Sequence, residues 1–197
     1  MHLKNKIARA ISTFFVPPSF TIILFTLFAF LFETEIKNRI IVILTAFSFG
    51  FLFHILFFFY LRKKGLLSDE DASIKEERTY PYIIASFFYT AGFLILLLFD
   101  VNIISIAFWF CYISNTILIM IINKFWKISA HTMGAAGPAA ALTFITGWQF
   151  IFVILLVLII SWARVQLKLH NIPQVIAGAL TGFISTFLQM HFIINSF

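Results

Sequence analysis

Charge is scarce in this chain. Only 11% of its residues are Asp, Glu, Lys or Arg, against about 25% in soluble domains, too few to cover a water-facing surface. Cysteine is nearly absent: Cys111 stands alone inside an apolar run, which excludes an internal disulfide and leaves the redox compartment unread. No segment alternates strictly between apolar and polar residues, which excludes a β-barrel of the outer-membrane kind. No repeat or low-complexity tract interrupts the chain. What is present is hydrocarbon. The 197 residues are 61% apolar and include 28 Phe, and bilayer-length runs recur from end to end. The pattern predicts an all-α, polytopic transmembrane helical bundle, with residues 1–197 forming a single integral membrane domain.

Seven spans are expected, at about 17–32, 40–61, 80–99, 103–123, 130–146, 148–162 and 173–195. The number falls to six if the first, which opens on Pro17-Pro18, is re-entrant. The first, fifth and sixth are short for a hydrocarbon core of about 30 Å. Residues 1–10 are basic, but Glu33-Thr34-Glu35 follows the first apolar stretch where a cleavable signal would have small residues. A retained first helix is therefore expected.

With seven spans, one face collects Lys4, Lys6, Arg9, Arg62, Lys63, Lys64, Lys75, Arg78, Lys124, Lys127, Arg164 and Lys168. Only Lys37 and Arg39 of the 14 basic residues lie opposite. The positive-inside rule assigns the first face to the cytoplasm of a cell (inner) membrane. The net charge of +6 thus reports topology, and with no soluble basic face to carry it, nucleic acid is not an expected partner.

Three polar clusters on that face each open a helix. Arg78 precedes Pro81, a residue favoured in first turns. Ser129 is placed to cap the fifth span, with His131 in its first turn. Asn171 is placed to cap the seventh, with His170 before it and Pro173 just inside. Helix N-termini offer unpaired N–H groups and partial positive charge, so three of them together favour an anion. Arg adds bidentate phosphate recognition and His a group able to attack or protonate. Ala130, Gly134, Gly137 and Ala141 in the fifth span, and Gly178 and Gly182 in the seventh, are small residues of the kind that let membrane helices approach closely. His54 and His191, inside apolar helices, read as structural.

On these residues the chain resembles the type 2 phosphatidic acid phosphatase family, which includes membrane lipid phosphatases and the vanadium haloperoxidases. The likeness covers about residues 68–182. The family's third motif is Ser-Arg, five residues, His, three residues, Asp; here Ala163-Arg164, His170 and Gln174 keep its spacing, followed by Val175-Ile176-Ala177-Gly178. The second, Pro-Ser-Gly-His, matches Ile128-Ser129-Ala130-His131. Of the first, Lys, six residues, Arg-Pro, Arg78 is kept. Thr79 stands for the proline, Asp71 for the lysine, and Lys75 lies one turn from the lysine position.

The resemblance implies a metal-independent, cofactor-free phosphatase acting on a lipid phosphate or diphosphate. His170 would take the phosphoryl group and His131 would protonate the leaving oxygen. Arg78, Arg164, Ser129 and Lys75 would hold phosphate oxygens, and Gln174 would orient His170 where the family has Asp. A glutamine oxygen can hold the imidazole tautomer but supplies no negative charge. Two rivals follow: a relative that binds lipid phosphate headgroups without turnover, and, more distantly, a magnesium-dependent intramembrane prenyltransferase using Asp69 and Asp71.

Overall fold

Long runs of Phe, Leu and Ile fold as helices in a bilayer because hydrocarbon offers no partner to a backbone N–H or C=O, and a helix satisfies both within itself. The computed structural model describes residues 3–147 and 151–196, and every regular element among them is helical. In chain order α1 spans Leu3–Phe14, α2 Pro17–Phe32, α3 Ile36–Thr45, α4 Phe53–Lys63, α5 Thr79–Leu98, α6 Ile103–Phe125, α7 Ala130–Thr146, α8 Ile151–Gln166 and α9 Ile172–Asn195. A π-helical segment, Ala46–Leu52, carries α3 into α4 without a break.

Among the described residues four helices are long and apolar enough to cross a membrane: Ile36–Lys63, Glu76–Leu98, Ile103–Phe125 and Ile172–Asn195. The pair α1 and α2, bent by 55°, adds a fifth if it counts as one span. Residues 17–32 and 130–146, expected as spans, are helical as α2 and α7, but neither helix by itself is among those long and apolar enough to cross. The expected span 148–162 begins on residues 148–150, which lie outside the described residues; α8 continues to Gln166. Arg164 is therefore in the last turn of α8 rather than in a loop beyond it. A cation there faces the negative end of the helix dipole, so charge does not mark the helix end.

Packing groups the chain into two units, one of Met1–Phe20 with Trp126–Phe197, the other of Thr21–Phe125. Charge divides sharply between them. All eight acids (Glu33, Glu35, Asp69, Glu70, Asp71, Glu76, Glu77 and Asp100) lie in the second unit, beside eight basic residues. The first unit holds Lys4, Lys6, Arg9, Lys127, Arg164 and Lys168 and no acid, so it carries the whole net charge of +6.

In the second unit the core is aromatic. Phe25 lies 4.8 Å from Trp109 and 5.3 Å from Phe108 between ring centroids. The Trp109 indole donates to the Tyr89 carbonyl at 2.7 Å, which only the missing side chain of Gly92 allows, because a Cβ there would overlap the indole ring. Cys111 is buried nearby and donates to Ala107. At the start of α6, Oε1 of the buried Glu33 accepts the Asn102 amide at 2.9 Å, a carboxylate on a helix N-terminus.

The first unit is built on α7, whose small residues Ala135, Ala136, Ala139 and Ala140 are all buried. Without a hydrophobic drive between helices in lipid, their association rests on close van der Waals packing, which small side chains permit. Gly178 and Gly182 of α9 show how close the approach is. A Cβ on Gly178 would stand 2.5 Å from the Ser129 carbonyl, and one on Gly182 would overlap Met133. Ala135, Ala136 and Ala139 of α7 also pack with Phe20, Val157 and Ile160.

Candidate functional site

The helix starts of the first unit follow from local capping chemistry. Ser129 is fully buried and extended (ψ 110°), and its hydroxyl accepts the Thr132 amide at 3.4 Å, capping α7. Asn171 caps α9: its Oδ1 accepts the Gln174 amide at 3.0 Å while the Gln174 side chain accepts the Asn171 amide at 3.1 Å. This reciprocal capping box satisfies two N–H groups that the helix leaves open. The two starts are joined as well, because the Ser129 amide donates to the Gln174 carbonyl at 3.1 Å. Ser129 thus serves the backbone of both helices, and His131 lies half-buried in the first turn of α7.

The spacing from Arg164 to His170 has a geometric cause. Lys168 takes a left-handed conformation (φ 58°) just past α8, and the chain doubles back. The amides of Leu169 and His170 both donate to the Arg164 carbonyl, at 3.1 and 3.3 Å. Five intervening residues close this turn and bring the two motif residues together. Lys127 donates across to the Leu169 carbonyl at 3.0 Å, tying the approach to α7 onto the same turn.

The His170 tautomer can be deduced from the capping box. The Asn171 amide can only donate, so the Gln174 atom facing it is the oxygen. That same Oε1 lies 3.2 Å from His170 Nδ1, and a carbonyl oxygen can only accept. Nδ1 of the neutral ring therefore carries the proton, and Nε2 is the lone-pair nitrogen suited to attack or accept a proton. His170 is 6% exposed. With Lys168, Asn171, Pro173 and Gln174 it lines an open depression of about 570 Å³ at the start of α9.

Arg164 is more deeply placed, at 1% exposure, and its Nη1 donates to the Ser12 hydroxyl of α1 at 2.6 Å. Two residues on, Gln166 donates to Asn5 of α1 at 2.8 Å. Ser12 is a residue that none of the motifs in the sequence points to. The available signal was Ala8 and Ser12 recurring four apart beneath an amphipathic pattern in Leu3–Phe14.

The other two expected ligands, Lys75 and Arg78, belong to the second unit, and both are engaged there. Arg78 is buried and its Nε donates to the carbonyl of Ala72 at 2.7 Å; Ala72 is left-handed at φ 45°. Lys75 donates to the Lys124 carbonyl at 3.2 Å, and its own carbonyl accepts Asn123 at 2.8 Å, so the loop before α5 is fastened to the end of α6. Asp69 folds the same loop, its Oδ1 accepting the Asp71 and Ser73 amides at 2.8 and 3.1 Å. Partial burial alone would raise the Asp69 carboxyl. Hydrogen bonds from the Ser73 hydroxyl and the two amides outweigh it and hold the group below its ordinary value.

Within the first unit, then, Ser129, His131, Arg164, His170 and Gln174 stand at two adjoining helix starts and the turn before one of them. Comparison with family models, with curated proteins and with solved structures finds no significant match to this chain.

Proposed function

We propose that the chain is an integral membrane phosphatase that hydrolyses a lipid phosphate or diphosphate through a phosphohistidine, as a divergent member of the type 2 phosphatidic acid phosphatase family. The observation that carries this reading is the His170–Gln174 contact inside the capping box. It assigns the tautomer with a nucleophilic Nε2, on a turn that also holds Arg164, in a unit that contains six basic residues and no acid.

In the first step Nε2 of His170 attacks phosphorus, the bond from phosphorus to the lipid oxygen breaks, and His131 donates a proton to that oxygen. In the second, water attacks the phosphohistidine with its proton passing to His131, releasing phosphate. Phosphoryl transfer needs mainly positioning and charge stabilisation, which Arg164, Ser129 and the first-turn amides of α7 and α9 are suited to supply. With α2, α7 and α8 as short spans beside the four long ones, the chain crosses a cell membrane seven times. The basic bias then puts the site on the cytoplasmic side.

The test is phosphate release in detergent, with a chelator present, from phosphatidic acid, phosphatidylglycerol phosphate and a polyprenyl diphosphate. At least one should be hydrolysed. His170→Ala should abolish release and any phosphoenzyme. Arg164→Lys keeps the charge but loses the planar fork and most phosphate affinity. Full activity in His170→Ala would overturn the mechanism. A second reading rests on Gln174, which supplies no charge to an imidazolium: binding of a phosphate lipid with no release from the parent would make the chain a headgroup-binding relative.

A further inference from the structure

We infer that α1 is an interfacial helix that binds the anionic phospholipid surface of the leaflet it lies against. At about 1.5 Å per residue its 12 residues reach only about 18 Å, too short to cross a hydrocarbon core of about 30 Å. Its surface has three sides. Ala8 and Ser12 are buried, and Ser12 and Asn5 hydrogen-bond to α8. Leu3, Ile7 and Phe14 recur at helical spacing and stay 72%, 46% and 70% exposed.

Lys4 and Lys6 are also exposed. Hydrocarbon would accept the apolar side but not the lysines, and water would accept the reverse. Only the headgroup boundary accepts both, with the apolar side turned to the acyl chains and the ammonium groups among phosphates. Charge complementarity selects the partner: the unit contains no acid to offset these lysines, and each basic residue near an anionic surface adds to the attraction. This assignment is independent of the phosphatase reading.

The experiment uses the full chain with Cys111→Ser and a bimane label on Ala10→Cys. Ala10 is exposed and lies between Ile7 and Phe14 in sequence. The protein is placed in phosphatidylcholine nanodiscs doped with equal amounts of nitroxide-labelled phosphatidylglycerol or nitroxide-labelled phosphatidylcholine. Both should quench the label, the anionic lipid several-fold more strongly at low salt. Adding Lys4→Gln and Lys6→Gln should reduce phosphatidylglycerol quenching to the phosphatidylcholine level, an affinity loss of about fivefold per lysine. Equal quenching by the two lipids in the parent would overturn the anionic preference. A label that neither lipid quenches would overturn the interfacial placement, and its cross-linking to a second copy would assign this face to a dimer.

Discussion

At the scale of single residues, Gln174 does two jobs with one oxygen. It closes the capping box of α9 and accepts from His170 Nδ1. Both jobs require an acceptor at the reach of Gln or Glu, because the box depends on a side chain long enough to return to the N-cap amide. A glutamine here thus holds the imidazole without a carboxylate. Gln174→Glu is therefore expected to keep the helix start while adding the negative charge that an imidazolium favours. Phosphate release should rise, by at most about 10⁴-fold, the loss measured when the Asp of a serine-protease triad becomes its amide. A single-turnover assay on the hydrolysed lipid reads this directly; an unchanged or lower rate in a folded variant would mean that charge at this position does not assist His170.

At the scale of elements, the candidate site depends on α7 and α9 lying close enough for Ser129 to bond the Gln174 carbonyl. Gly178 sets that distance. Gly178→Ala would put a methyl 2.5 Å from the Ser129 carbonyl and from Thr132 Oγ1, and backbone cannot yield as a flexible side-chain end does. The expected cost is about 1–3 kcal/mol, visible as a lower unfolding midpoint in detergent. Leu180→Ala, on the exposed side of the same helix, should change stability by no more than about 0.5 kcal/mol. Equal midpoints for the two variants would show that the contact between the helix starts tolerates separation.

At the scale of the whole molecule, the separation of charge is the dominant feature. The unit with six basic residues and no acid is the one that contains His131, Arg164 and His170; the other is balanced at eight and eight. Positive charge resists translocation, so Lys64 and the motif loops are expected to face the cytoplasm. Lys64→Cys, made with Cys111→Ser, should be protected from a membrane-impermeant thiol reagent in intact cells and react once they are opened. Ready labelling in intact cells would reverse the orientation and point to a lipid delivered from outside.

The sequence by itself determined the all-helical class, the membrane setting, and the starts of α7 and α9. Hydropathy and capping are local properties, and Ser129, Asn171 and Pro173 announce those starts without reference to anything distant. The spacing of Arg164 and His170 was also legible, since a turn past α8 involves only neighbours in the chain. Span number was less so: α7 and α8 are short, and Arg164 looked like a helix end although the last turn of a helix welcomes a cation. The partners were not legible at all. Arg164 meets Ser12 across 152 residues, and Arg78 and Lys75 fasten their own loop. A buried cation takes its hydrogen bonds from whichever polar atoms the packed backbones bring near, and those neighbours exist only once the helices have assembled.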